Sequence, residues 1–176
     1  MISNSSEDLA FMKIALDEAD KCTPIPTAFC VGCVIVVQVR SATDAEEKMI
    51  LSTGYSRELV GNTHAEANAL VKAQELSSAE LEKFFPEGTP SDGGVRRLLE
   101  EADVYTTLEP CSVRTSGLPA CADALVGAQV RRCYIGAAEP DDFVICEGAE
   151  KLKRGGVEVI WLKGLEQECL GAARRR

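Results

Sequence analysis

Ala102-Asp103-Val104-Tyr105-Thr106-Thr107-Leu108-Glu109-Pro110-Cys111 is the stretch that decides the fold. Its first six residues read as a strand, and Glu109-Pro110 stops it with Cys111 just beyond the end. After a short loop, Pro119-Ala120-Cys121-Ala122-Asp123-Ala124-Leu125 opens a helix, with Pro119 suited to the first turn. A strand at 131–137, a helix from Glu147 and a strand at 157–162 complete the alternation. Strands that alternate with helices are joined by crossovers and form an α/β layered fold.

Upstream, residues 30–40 are rich in Val and Ile, as expected of a strand buried on both faces, and 48–55 is a second strand. The polar run 41–47 predicts a hairpin connection between them. These add an antiparallel pair to the later strands. The expected architecture is a three-layer α/β/α sandwich with a mixed sheet of about five strands. Residues 7–21 place Leu9, Met12, Leu16 and Ala19 at helical spacing behind a Ser5-x-x-Asp8 capping box. Asn62 or Thr63 caps a further helix running to about Ser77, and a shorter helix continues to Phe85. Residues 86–94 lack apolar anchors and read as an exposed, mobile loop.

The chain has 176 residues, 45% of them apolar, which suits one domain over 1–176, with a core over about 7–162 and a solvated tail at 171–176 that ends in three arginines. The acidic, polar first residues have no secretory pattern, and no apolar run approaches the roughly 18 residues of a membrane helix. A soluble cytoplasmic protein is expected, and its eight cysteines then read as thiols or metal ligands rather than disulfides. The net charge of -9 argues against a nucleic-acid partner, whose phosphates call for Lys and Arg, and favours a small-molecule substrate.

His64, Cys111 and Cys121 supply the imidazole and two thiolates that suit a zinc site with one open position. His64 is the only histidine in the chain. Glu66, two residues further on at the start of the same helix, is placed to move protons beside the metal without binding it. Each element has a structural alternative. Thr63-x-x-Glu66 is also a capping box, and the nine residues between Cys111 and Cys121 exceed a C-x-x-C spacing. Cys30 and Cys33 do form a C-x-x-C, but inside a Val-rich strand, where core packing explains them.

His64-Ala65-Glu66, Pro110-Cys111 and Cys121 together resemble the H-x-E…P-C-x-x-C signature of zinc nucleobase deaminases, with a wider cysteine gap. Thr107-Leu108-Glu109-Pro110-Cys111-Ser112, Val31-Gly32-Cys33-Val34-Ile35-Val36 and the Gly148-x-x-x-Leu152-x-x-x-Gly156-Val157 segment look like the deaminase domain of riboflavin biosynthesis. The resemblance runs from about Glu7 to Leu162. It implies the cytidine deaminase fold, a Zn2+ cofactor held by His64, Cys111 and Cys121, Glu66 as the proton shuttle, and a homodimer or larger homo-oligomer. The absence of a following reductase segment makes the chain look like the stand-alone fungal type. That type would deaminate 2,5-diamino-6-ribitylamino-4(3H)-pyrimidinone 5'-phosphate.

The resemblance has departures. Thr27-Ala28-Phe29 replaces a Pro-Asn-Pro, Ser56 replaces a histidine, and Val113 to Leu118 replaces a His-x-Gly-Arg/Lys-Thr-Pro loop. The substrate-side residues are therefore expected to be Phe29, Asn62, Ala65, Arg114, Thr115 and Ser116. Phe29 reads equally as a ring-stacking partner or a core aromatic, Asn62 as a helix cap or a hydroxyl ligand, and Arg114 as a phosphate clamp or a solvated cation. Competing functions are a cytidine or deoxycytidylate deaminase, a tRNA adenosine deaminase, and a non-catalytic zinc scaffold.

Overall fold

The computed structural model describes residues 5–40, 46–61, 63–85, 88, 94–114, 117–140 and 146–175. Its elements follow in the order α1 (Ser6–Asp20), β1 (Gly32–Arg40), β2 (Glu46–Tyr55), α2 (Ala65–Gln74), α3 (Ser78–Leu81), α4 (Gly94–Glu100), β3 (Asp103–Thr106), α5 (Cys121–Gly127), β4 (Arg132–Ile135), α6 (Gly148–Arg154), β5 (Glu158–Trp161) and α7 (Glu166–Ala173), with a 3₁₀ turn (Glu82–Phe84) after α3. The strands form one five-stranded sheet in the order β2-β1-β3-β4-β5. β1 is antiparallel to both β2 and β3, whereas β3, β4 and β5 run parallel. The mixed sheet read from the sequence is the one observed.

Alternation along β1 explains the layers. Cys33, Ile35, Val37 and Val39 join a core with residues of α2, α5 and α6, and Val34 and Val36 join a second core with α1 and α7. Successive strand residues face opposite sides, so a strand with apolar residues at both parities must be covered on both. In β3 the same rule sends Val104 toward the α2 layer and Tyr105 toward the α1 layer. Thr106 therefore shares the side of Val104.

The helix starts differ in how far their local sequence predicted them. α1 has the expected capping box, with Ser5 Oγ accepting from the Asp8 N–H and the Asp8 carboxylate accepting from the Ser5 N–H. The cap of α2 is neither Asn62 nor Thr63 but His64, whose side chain makes no capping bond. Thr63 Oγ1 instead donates to the Leu59 carbonyl and accepts from Asn68 Nδ2, so the Thr63-x-x-Glu66 capping box does not form. Pro119 lies before Ala120, the cap of α5, and so stands outside the helix rather than in its first turn. The helix expected to reach Ser77 ends at Gln74, and Ser77 caps α3.

Two helices had no counterpart in the sequence reading. α4 begins at Gly94, the last residue of the expected loop, while residues 86–87 and 89–93 lie outside the described residues, as do 41–45 of the expected hairpin connection. α7 buries Cys169 and Ala173 against the α1 layer, which extends the core beyond Leu162 into the expected tail. Arg175 donates to the carbonyls of Ala19, Asp20 and Cys22 at the end of α1, so it is docked rather than solvated. Among the described residues, no helix is long and apolar enough to cross a membrane.

α2 lies directly on β2. A Cβ built on Gly54 would collide with the Ala65 carbonyl oxygen and the Ala69 nitrogen, both backbone atoms of α2. Ser52 Oγ, on the same strand, donates to the Ala69 carbonyl at 2.8 Å. Gly54→Ala is expected to push α2 outward and cost about 1–3 kcal/mol or more, measured as a lower midpoint of urea unfolding.

Behind β3, Asp8 accepts from Tyr105 Oη at 2.8 Å and from Ser5 Oγ at 2.8 Å, with Lys48 Nζ at 3.6 Å. Burial works to raise the Asp8 pKa, but the bonds from Tyr105 and Ser5 and the Lys48 charge hold it below the usual value. A depressed carboxyl adds stability above the unfolded pKa of about 4 and loses it as pH falls through the depressed value. Asp8→Asn is therefore expected to destabilise the protein at pH 6 and to flatten the acid limb of stability against pH, both read from urea titrations between pH 3 and 6.

Candidate active site

Two helix N-termini and one loop meet at the carboxyl end of β3. His64 caps α2, Cys121 is the first residue of α5, and Cys111 lies in the loop between β3 and α5. His64 Nδ1 is 3.5 Å from Cys111 Sγ and 3.5 Å from Cys121 Sγ, and the three ligand atoms lie within 4.8 Å of one another. In a tetrahedral zinc site with bonds of about 2.0 Å to nitrogen and about 2.3 Å to sulfur, neighbouring ligand atoms stand about 3.5 Å apart. The donor set and its spacing fit zinc.

The two sulfurs are electrostatically unequal. Hydrogen bonds from the Cys121 thiol, then from His64, then from the Cys121 N–H at 3.3 Å outweigh burial and bring the Cys111 pKa down to about 4. Cys121 is pushed up by that same thiol bond and by burial, so it keeps the proton. The bond to Cys111 raises His64, against the effect of burial. Glu66 is raised first by burial and then by the negative charge of Cys111.

The loop carrying Cys111 is fastened by groups that residue spacing did not single out. Glu109, a buried carboxylate, accepts from the Ala149 N–H at 2.9 Å in the first turn of α6, where the helix dipole favours negative charge. A Cβ on Gly148 would strike the Pro110 carbonyl, so α6 also rests on this loop backbone. Cys146 Sγ donates to Pro110 O at 3.4 Å, and Lys151 Nζ donates to Ser112 O at 2.9 Å while pairing with Asp123. On the other side, the buried Asn68 gives its amide to Tyr55 O at 2.7 Å and to Thr63 Oγ1 at 3.1 Å, bracing the segment that leads into His64. The only sequence signal for Glu109 was its place in the Thr-Leu-Glu-Pro-Cys run.

Glu66 is buried in the first turn of α2, and its Oε1 is 3.0 Å from the hydroxyl of the fully buried Thr106. Arg114 is half-buried in the loop between the cysteines, and its charge is felt at His64. Ala65 is buried with its side chain in the α2 core. Phe29 packs against the α1 and α7 core and lines a shallow cleft with Ala173, Arg174 and Arg175, as a core aromatic would. Asn62, Thr115 and Ser116 lie outside the described residues. Ser56 continues the β1 to β2 pairing, accepting from the Val31 N–H through Oγ and donating its own N–H to Val31 O. Cys22, Cys30, Cys33, Cys133 and Cys169 are buried free thiols away from the ligand cluster.

Residues 5–137 match the family described as the cytidine and deoxycytidylate deaminase zinc-binding region. The chain belongs to that family. The Schizosaccharomyces pombe diaminohydroxyphosphoribosylamino-pyrimidine deaminase is 41% identical to this deaminase-family chain over 165 residues, 94% of this chain and 34% of the relative. The chain thus spans about a third of the length of that curated relative. The Aspergillus oryzae Rib2 deaminase, as a C-terminal deletion mutant at pH 4.6, superposes with a TM-score of 0.72 at 29% identity, covering 96% of this chain and 91% of that one. The same enzyme in complex with DARIPP gives a TM-score of 0.69 at 28% identity, covering 96% and 90%. The fold is accordingly the cytidine deaminase-like α/β fold.

Zinc titrated into metal-free protein is expected to saturate at one ion per chain and to displace the Cys121 proton together with any proton on the raised His64, so more than one proton per zinc at pH 7, measured by calorimetry in buffers of different ionisation enthalpy. Glu109→Leu, which removes the acceptor for the Ala149 N–H, is expected to weaken zinc about 10- to 100-fold through the Cys111 loop, read by competition with a chromogenic chelator.

Proposed function

We propose that this chain is a zinc-dependent pyrimidine deaminase of riboflavin biosynthesis. Its substrate in this reading is 2,5-diamino-6-ribitylamino-4(3H)-pyrimidinone 5'-phosphate, and ammonia is released. The observation that carries the reading is the joint placement of a His64, Cys111 and Cys121 cluster with a buried Glu66 on the same helix start as His64. Similarity to the S. pombe deaminase and to the Rib2 structure with DARIPP supports the substrate class.

His64 Nδ1 and the sulfurs of Cys111 and Cys121 would hold the zinc, which when bound would supply Lewis acidity to activate water near neutral pH. The protein supplies the rest. Glu66 takes a proton from the attacking water and delivers it to the ring nitrogen. The hydroxyl added to the ring carbon gives up its proton through the same carboxylate to the departing amine, so a carbonyl forms as the amine leaves as ammonia. Burial of Glu66 excludes bulk water from this exchange and favours the protonated form that must act as the acid. Arg114 offers a planar cation for the substrate phosphate at the rim of the cluster.

The same reading places the protein in the cytoplasm as a homodimer or larger homo-oligomer. Eight free cysteines support a reducing compartment. Val60, Val113 and Leu118, exposed on the segments that lead to the three ligands, support a covered surface there.

The zinc-loaded protein is expected to release ammonia from the ribityl pyrimidine phosphate in preference to its ribosyl counterpart, cytidine and deoxycytidylate. Glu66→Gln should keep zinc and fold while lowering turnover by about 10²- to 10⁴-fold. Preferential turnover of cytidine or deoxycytidylate would move the assignment to those substrates. Unchanged turnover in Glu66→Gln would remove the proton-shuttle role.

A further inference from the structure

Thr106 is the last residue of β3, and its side chain is fully buried. Its backbone is fixed on both sides, paired with Cys33 of β1 and Ile135 of β4. Strand alternation turns its hydroxyl to the α2 layer, where Oγ1 lies 3.0 Å from Glu66 Oε1 and 3.0 Å from the Leu108 carbonyl oxygen. A hydroxyl carries one proton and two lone pairs, whereas a carbonyl oxygen only accepts.

The hydroxyl has one proton for two acceptors within reach, and turned to Glu66 it donates to Oε1. An Oε1 held in this way leaves Oε2 as the oxygen that takes up and gives out a proton. Oε1 is then an acceptor in both states, so the same bond persists and no heavy atom moves. Glu66 has to hold one position while a proton arrives and leaves, and a partner on a paired strand end provides this better than a loop side chain would.

Resting on the proton-shuttle reading of Glu66, we propose that Thr106 is a positioning residue: its hydroxyl holds Glu66 Oε1 with and without the proton, leaving Oε2 to serve the reacting groups. Thr106 touches neither substrate nor metal in this role and acts only through Glu66. A purely structural Thr106 would serve the Leu108 carbonyl alone, and its loss would then appear in stability and not in turnover.

The test uses the zinc-loaded wild type, Thr106→Val, which keeps the shape and removes the hydroxyl, and Thr106→Ser, which keeps the hydroxyl. Bound zinc, kcat and KM for ammonia release are measured together with the ¹³C resonance of the Glu66 carboxyl, identified by its loss in Glu66→Gln. Thr106→Val is expected to lower kcat per bound zinc about 10- to 100-fold at unchanged KM and to displace the carboxyl resonance, and Thr106→Ser to restore both. An unchanged kcat per bound zinc, or a loss that serine does not restore, overturns the proposal. If the wild type releases no ammonia, the activity reading fails by itself. The resonance then decides alone, and one that ignores Thr106→Val overturns the positioning role.

Discussion

Backbone must touch backbone for this site to exist. His64 and Cys111 are 47 residues apart in the chain and His64 and Cys121 are 57, yet their ligand atoms meet at 3.5 Å. Two glycines permit the approach: Gly54 lets α2 lie on β2, and Gly148 lets α6 rest on the Pro110 carbonyl. Any side chain at these points would lift the helix that orients His64 and Glu66 or the one that braces Cys111. The sheet fixes the remaining coordinate, because Thr106 ends β3 where the starts of α2 and α5 converge.

The parts of this arrangement that were legible in the sequence are those governed by local rules. The Val-rich β1 could only be a strand covered on both faces, and the Ser5 and Asp8 capping box formed as its spacing demanded. The His64, Cys111 and Cys121 cluster was legible because zinc chemistry so strongly restricts the residue types that could hold the ion. The same capping rule failed at Thr63 and Glu66, where tertiary partners won: Leu59 and Asn68 engage the threonine, and the hydroxyl of Thr106 meets the glutamate. Local capping and tertiary contact compete for the same carboxylate, and here the tertiary contact takes it.

What stayed hidden depends on contacts between distant segments. α7 has Gly171 near its end and few large apolar residues, so its sequence is weakly helical; it is held by the packing of Cys169 and Ala173 onto the α1 layer. Glu109 and Thr106 read as a loop acid and a strand filler until α6 and α2 arrive beside them. Arg175 looked like a solvated tail because its acceptors, the carbonyls at the end of α1, lie more than 150 residues away. Substrate-side residues were the least legible, since shape decides them, and an aromatic such as Phe29, which packs against the α1 and α7 core, reads either way from sequence.

One feature of the composition acquires a practical meaning from the geometry. The chain contains a single imidazole, and that ring sits in the ligand cluster with Nδ1 turned to both sulfurs. Its other nitrogen must then carry the hydrogen whenever Nδ1 is engaged by a metal. A histidine-selective nitrogen spectrum of this protein therefore holds the signals of one residue, and they belong to the site. The tautomer, occupancy and exchange of that site can be read directly, with no resonance assignment and no chemical label, because the fold has placed its only reporter there.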